Sequence, residues 1–191
     1  MAIARFVADA DTTITNAFEA GLTTRGTGSN MGYADSLEVF SIYGQSSSSV
    51  GQTQELSRML VKFPISSITA ARNAGTIPAQ GSVSFYLKMY NAATPFTLPQ
   101  GFNLVVAPVS ASWSEGTGLD MDEYQDLGSS NWIKATNSAN WTTIGGDYLT
   151  GSNYNVSFNK GYEDLTLNIT SLVEEWVNAT DPAYSNNYGI G

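Results

Sequence analysis

Alternation of apolar and polar residues with a period of two runs through much of this chain, and it constrains the fold more than any other feature. In segment 82–90, Val83, Phe85, Leu87 and Met89 fall on one face. The same period is found in four further segments, at residues 36–43, 57–65, 102–109 and 164–170. Successive side chains of a strand point to opposite faces, so the pattern predicts antiparallel strands with one face buried.

One helix is predicted, directly after the last of these strands. In TSLVEEWVN, residues 170–178, Ser171 and Glu174 have the spacing of a capping box. Leu172, Val173, Trp176 and Val177 then fall on one side of about two helical turns. Clusters of Gly, Ser, Asn and Thr separate the other segments and indicate loops.

Short strands, glycine-rich turns and one short helix together predict an all-β fold. We expect an antiparallel β-sandwich of the jelly-roll type, with that single helix. The chain has 191 residues, a length that predicts one domain over residues 1–191.

The chain contains no histidine and no cysteine. This composition excludes Ser-His-Asp and Cys-His catalysis, disulfides, and imidazole or thiolate metal sites. The remaining carboxylates do not define a catalytic pair, because an acidic loop offers many such pairs and the sequence fixes no separation between them. We therefore expect no enzymatic activity and no catalytic residue.

The net charge of −9 is unevenly distributed along the chain. Residues 1–100 hold six acidic and six basic side chains, whereas residues 101–191 hold eleven acidic side chains and only Lys134 and Lys160. An acidic surface repels phosphate backbones, so we expect no nucleic-acid partner. No apolar run is long enough to span a membrane. Arg5 and Asp9 interrupt the N-terminal apolar residues, which makes that segment unlike a secretory signal.

An acidic stretch, GLDMDEYQDLG, follows Thr117 and has two interpretations. Alternate carboxylates in a loop can bind calcium, and the candidates are Asp120, Asp122 and Asp126. Tyr124 stands where an EF-hand loop needs its third ligand, so the pattern is not an EF-hand. The favoured interpretation is a solvated loop, and we expect no cofactor.

The aromatic residues divide into two predicted groups. Trp113 and Trp176 follow apolar patterns and are expected in the core. Trp132, Trp141 and Tyr148 lie among polar loop residues and are expected to contact a ligand or partner at the surface. Ile3 and Phe6 are a further pair of contact candidates, because the apolar N-terminal segment could add a strand to a partner's sheet.

Six segments in chain order resemble the DNRLRE-type β-sandwich module, relatives of which are carbohydrate-binding modules on secreted proteins. They are ADADTTI, NMGYADSLEVF, RMLVKFPIS, SVSFYLKMY, VVAPVSASWSEGTG, and DLTLNITSLVEEWVN followed by NNYGIG. The resemblance implies that the W-S-E-G-T turn is structural: Trp113 packs, and Glu115 and Thr117 tie the turn. Because the family fold has strands beyond N-Y-G, we expect the chain to continue beyond Gly191.

The segment WTTIGGDY and the Asn-rich loop around it are similar to the version of this module in structural proteins of tailed bacteriophages, marine ones especially. This resemblance implies a non-enzymatic virion protein that decorates the capsid or belongs to a tail, collar or fibre appendage. Its partners would be other virion proteins, in multiple copies. The alternative is a carbohydrate-binding module of a secreted or cell-surface bacterial protein, with a glycan as its ligand.

Overall fold

The computed structural model describes residues 3–43, 54–95, 97–119 and 129–191. The chain divides into two compact units, each assembled from separate segments. Unit 1 comprises residues 1–7, 63–108 and 149–187, and unit 2 comprises residues 8–62, 109–148 and 188–191. The single domain expected over residues 1–191 stays a prediction.

Unit 2 contains a three-stranded antiparallel sheet in the order β1-β3-β2. The strands are β1 (Ala10–Thr15), β2 (Ser41–Ile42) and β3 (Glu55–Lys62). Strands β1 and β3 pair along six residues, from Ala10 opposite Lys62 to Thr15 opposite Ser57. The short β2 lies on the side of β3 opposite β1. It pairs with β3 through its two residues, Ser41 and Ile42.

The core of unit 2 combines apolar and polar side chains. Ile14 of β1 and Leu60 of β3 are fully buried. They belong to one cluster with Val109, Trp113, Trp132, Ala135 and Trp141. On β1 itself, Thr12, Thr13 and Thr15 are also fully buried. Their hydroxyl groups form hydrogen bonds, as when Thr15 Oγ1 donates to the carbonyl of Leu56 at 2.8 Å, so burial does not leave them unsatisfied.

Unit 1 contains two separate strand pairs and two α-helices. These elements are α1 (Ile65–Asn73), β4 (Tyr86–Met89), β5 (Phe102–Val106), β6 (Tyr154–Phe158), β7 (Leu165–Asn168) and α2 (Thr170–Asn178). Strand β4 pairs with β7 and β5 pairs with β6, both antiparallel. None of the helices in the described part of the chain is both long enough and apolar enough to cross a membrane.

An ion pair between the partly buried Arg72 and the buried Glu174 joins the two helices of unit 1. Arg72 of α1 donates two hydrogen bonds to the carboxylate of Glu174 on α2, at 2.7 and 2.8 Å. Asn178, one turn further along α2, donates to the main-chain oxygen of Glu174 at 2.8 Å. Both charges therefore have partners inside the unit, which offsets the desolvation that burial imposes on them.

The predicted antiparallel, sheet-rich architecture is confirmed. The prediction of a single helix is wrong, because α1 is a second one. Pro64 is the residue immediately before α1, a position where its missing N–H costs little. Of the predicted strand at 36–43, only Ser41–Ile42 is a strand.

The helix predicted within TSLVEEWVN is confirmed as α2, which begins before the predicted capping residue Ser171, and the predicted burial of Trp176 is confirmed too. Its capping box is not formed. Ser171 lies inside the helix, and the carboxylate of Glu174 binds Arg72 instead of the helix start. The N–H of Thr170 donates to Asn168 Oδ1 at 3.0 Å, so a residue upstream of the helix supplies the acceptor.

Candidate functional site

The W-S-E-G-T segment is held inside unit 2 by its tryptophan and its glutamate. The indole N–H of Trp113 donates to the carbonyl of Tyr188 at 2.6 Å, and the ring is buried as predicted. Glu115 Oε1 accepts a hydrogen bond from the N–H of Asp11 at 2.9 Å. Both contacts are structural, as the resemblance implied. For Thr117, which is exposed, a tie to the turn stays a prediction.

Asn30 connects this segment to the rest of unit 2 and has no exposed surface. Its Nδ2 donates to the carbonyls of Glu115 at 2.7 Å and Ser130 at 2.8 Å. Its Oδ1 accepts from the N–H groups of Gly118 at 2.9 Å and Gly32 at 3.2 Å. One fully buried amide therefore satisfies four main-chain groups, which explains why an asparagine occupies this position.

The glycines beside Asn30 are required by close packing of main chain on main chain. A Cβ added at Gly32 would lie 2.4 Å from the carbonyl oxygen of Glu115, and one at Gly118 would lie 1.7 Å from that of Asn30. Both distances are shorter than any real contact, so larger residues are excluded. The backbone of the N-x-G segment therefore packs directly against the backbone of the E-G-T-G segment, and no side chain fits between them.

The contact candidates lie in different surroundings. Ile3 is 82 % exposed, whereas Phe6 is partly buried. The expectation that Trp132 and Trp141 lie at the surface is wrong, since they are only 6 % and 5 % exposed. Both rings belong to the core of unit 2, and the indole N–H of Trp141 donates to the carbonyl of Asn131 at 2.8 Å. Neither ring can stack on a ligand in this conformation.

Tyr148 is partly buried and packs against the core cluster of unit 2, next to Arg58. The guanidinium carbon of Arg58 lies 5.1 Å from the ring centre of Trp132 and 5.5 Å from that of Tyr148. Arg58 also donates to the carbonyl of Gly145 at 2.5 Å. Burial raises the pKa of Tyr148, an effect that the neighbouring Arg58 partly opposes. The tyrosine is therefore a neutral hydrogen-bonding group at physiological pH.

The loop from Trp141 to Tyr148 is held by the side chain of Asp147. Its Oδ2 accepts from the N–H of Thr142 at 2.9 Å, and its Oδ1 accepts from the N–H of Thr143 at 2.7 Å. The N–H of Gly145 donates to the carbonyl of Trp132 at 2.8 Å. These bonds fix the loop against the core and set the direction of the carboxylate.

A cleft of about 340 Å³ opens beside this loop. Its lining residues are Ser110, Ala111, Thr142, Thr143, Asp147 and Tyr148, all of unit 2. The volume lies within the range of small-molecule sites. Of these residues, only Tyr148 is among the contact candidates predicted from the sequence. Asp147 follows a Gly-Gly pair and two threonines, and that turn composition is the signal that could have found the cleft.

No grouping of three or more acidic side chains suited to a metal ion occurs in the described ranges. The calcium candidates Asp120, Asp122 and Asp126 lie outside those ranges, so the expectation that this stretch is a solvated loop stays a prediction.

Comparison of the chain with protein-family models, with curated proteins and with solved structures finds no match.

Proposed function

We propose that this chain is a non-enzymatic structural protein of a tailed-phage particle, either a capsid decoration or part of a tail, collar or fibre appendage. Its antiparallel sheets would belong to a jelly-roll-like β-sandwich of the DNRLRE type, present in multiple copies and binding other virion proteins. The resemblance of six ordered sequence segments motivates this proposal. Two properties of the described residues support it.

The first property concerns the carboxylates. Glu115 accepts from Asp11 N–H, Glu55 accepts from Phe18 N–H at 2.8 Å, and Asp164 accepts from Asn91 N–H at 2.9 Å. Asp147 and Glu163 each accept two main-chain N–H groups in the same manner. Carboxylates used in this way stabilise loops, and this role supports a structural function over a hydrolytic one.

The second property carries the assembly part of the proposal. Ile3 and Val7 are 82 % and 81 % exposed, although both are large apolar residues. They lie in an N-terminal segment without assigned secondary structure. Burying such side chains against a partner would remove apolar surface from water, at roughly 25 cal/mol per Å². We infer that this segment contacts a neighbouring virion protein, where it could add a strand to the partner's sheet.

The test is incorporation into particles. Deleting residues 2–8 should release the protein from the particles while its fold, monitored by circular dichroism, is retained. The substitutions Ile3→Asp and Val7→Asp should do the same with less disturbance. Thr76→Asp with Thr97→Asp is the matched control, because it adds the same charge at exposed positions of unit 1. Full incorporation of the deleted chain would contradict the proposal.

The alternative function is that of a carbohydrate-binding module of a secreted or cell-surface bacterial protein. The observation that favours it is the cleft beside Tyr148, whose other lining residues include Ser110, Thr142 and Thr143. The main partner of the virion protein would be another virion protein, whereas the main partner of the carbohydrate-binding module would be a glycan. A chain that binds glycan and never enters particles would support the alternative.

A further inference from the structure

Strands β5 and β6 of unit 1 form a two-stranded sheet with two open edges. Among the described residues each strand pairs only with the other, from Phe102 opposite Phe158 to Val106 opposite Tyr154. Alternate residues of each strand direct their N–H and C=O groups away from the partner strand. No main-chain hydrogen bond from another described segment reaches either strand. The sheet can therefore accept a further strand at an edge.

The two strands differ in the side chains that they expose. Val105 of β5 is 55 % exposed, although it is a large apolar residue. The exposed residues of β6, Asn155 and Ser157, are both polar. On the same face, Ser157 Oγ donates to Asn103 Oδ1 at 2.6 Å. The edge of β5 is therefore the one that gains more from being covered, because covering it can also remove apolar surface from water.

Strand β5 lacks the features that usually keep an exposed edge from pairing. Natural edge strands are protected by charged side chains, by proline or by a bulge that interrupts pairing. The sequence of β5, FNLVV, contains neither a charged residue nor proline, and all five of its residues pair in continuous register with β6. Strand β4, in contrast, carries the exposed Lys88. A two-stranded sheet is also only marginally stable by itself, so an added strand would stabilise this one.

Charge favours a second copy of this chain as the partner. Unit 2 carries twelve acidic and four basic side chains, a formal charge of −8, whereas unit 1 carries five and four, a formal charge of −1. Two copies that meet through unit 1 therefore bring together their less charged units, and two β5 strands bring together no charged side chains. An antiparallel edge is also complementary to itself, because a two-fold rotation places the same groups opposite each other.

We propose that the chain forms a dimer in which β5 pairs antiparallel with β5 of a second copy. The two-fold axis passes through Leu104, the register that pairs all five residues of the strand. Asn103 then lies opposite Val105 of the second copy, and Phe102 lies opposite Val106, an aromatic and β-branched pair of the kind that stabilises sheets. The sheet becomes four-stranded, in the order β6-β5-β5-β6. This contact goes beyond the proposed function, which assigns partner binding to the N-terminal segment.

Sedimentation velocity of the native chain, from about 1 μM to about 1 mM, should show a concentration-dependent dimer. Val105→Lys places a charge at the paired edge and should raise the dissociation constant at least roughly tenfold. Asn155→Lys is the matched control, because Asn155 lies opposite Val105 on β6 and is exposed on the same sheet. Its dissociation constant should stay within about twofold of the native value. Circular dichroism of both variants verifies that they are folded.

Cross-linking tests the register without adding charge. The native chain contains no cysteine, so each introduced thiol is unique. Opposite residues of an antiparallel pair lie about 4.5–5.5 Å apart at their Cα atoms, within the range that a disulfide spans. An oxidised mixture of Asn103→Cys and Val105→Cys chains should therefore form the mixed disulfide dimer. A mixture of Asn103→Cys and Asn155→Cys chains should not, because β6 lies one strand further from the axis.

The inference is overturned if the native chain stays monomeric over this range, if both lysine variants weaken the dimer equally, or if the first cysteine mixture does not cross-link. Loss of the dimer on deletion of residues 2–8 would also overturn it, since the contact would then belong to the N-terminal segment. The particle experiment is separate, because pairing of free chains through β5 requires no other virion protein.

Discussion

The main-chain N–H of Asp11 donates a 2.9 Å hydrogen bond to Oε1 of Glu115, a residue 104 positions further along the chain. This bond joins the start of β1 to the W-S-E-G-T segment. It also brings two carboxylates near each other. Burial raises the pKa of Asp11 above its usual value of 3.8, and the charge of Glu115 raises it further. The contact that stabilises the segment therefore has an electrostatic cost.

This cost predicts a pH-dependent effect of Asp11→Asn. Because the folded-state pKa of Asp11 is raised, the folded chain retains a proton that the unfolded chain has released in the window just above pH 3.8. The contribution of Asp11 to the free energy of unfolding therefore falls as the pH rises through this window, and is lowest above it. Asp11→Asn removes this unfavourable contribution and should raise the melting temperature at neutral pH.

The measurement is thermal unfolding of native and variant protein from below pH 3.8 to neutral pH. The advantage of Asp11→Asn should disappear at the acidic end, where the native carboxyl is protonated in both states. Asp9→Asn, which removes the same charge at an exposed position, is the control. A variant that is less stable than the native chain at neutral pH would contradict the argument.

Asn30→Ala should destabilise unit 2 strongly. The substitution leaves the carbonyls of Glu115 and Ser130 and the N–H groups of Gly32 and Gly118 without their partner in a fully buried position. Each buried polar group left unsatisfied costs about 1–3 kcal/mol, so we expect a loss of at least about 3 kcal/mol in the free energy of unfolding.

Urea denaturation measures this loss. Asn30→Asp should not rescue it, because a carboxylate would face two carbonyl oxygens. The exposed Asn137 provides a matched control, and Asn137→Ala should change stability by no more than about 0.5 kcal/mol. Equal stabilities of the two alanine variants would show that the Asn30 contacts contribute little.

Trp113→Ala should cost about 3–5 kcal/mol, since it removes a buried ring and leaves a cavity in the core of unit 2. Trp113→Phe should cost less, because it retains most of the ring and loses mainly the hydrogen bond to the carbonyl of Tyr188. Trp176→Ala, in unit 1, should show a similar loss to Trp113→Ala. Chemical denaturation of the three variants checks this order, and a loss below 1 kcal/mol for Trp113→Ala would contradict it.

Arg72→Leu should cost about 3–5 kcal/mol, because it leaves the carboxylate of Glu174 buried without its cation. The double variant Arg72→Leu with Glu174→Leu should be more stable than Arg72→Leu alone, since no unpaired charge remains. A double-mutant cycle in urea measures the coupling, and Lys88→Met serves as the exposed control. A double variant less stable than both single variants would contradict this expectation.

The sequence allows those elements to be predicted whose buried faces are apolar. In β7, Leu165 is buried between exposed neighbours, and in α2 the buried Leu172, Val173 and Trp176 keep the helical spacing. Helix α1 has no such apolar face, since Ile68 is its one buried residue and its amphipathic pattern is correspondingly weak.

The parts that could not be predicted have polar side chains in buried positions. Strand β1 buries Thr12, Thr13 and Thr15. Their side chains are polar, so the strand lacks the alternation of apolar and polar residues by which the other strands are predicted. Trp132 was expected at the surface because serine and asparagine precede it. Ser130 is itself fully buried, however, and donates to the carbonyl of Ser114 at 2.8 Å. The tertiary hydrogen bonds that stabilise such residues connect distant segments, so the local sequence does not reveal them.

The contacts of Asn30 have a practical consequence for protein engineering. One side chain bonds both Gly118 N–H and the carbonyl of Ser130, and so fixes two points of the backbone that flank residues 119–129. A foreign peptide grafted into that interval would start and finish at positions that the scaffold already defines. Doubling the length of such an insert should cost only about 0.6 kcal/mol in closure entropy. A guest peptide inserted there would therefore begin and end at two backbone positions that one side chain, Asn30, already anchors.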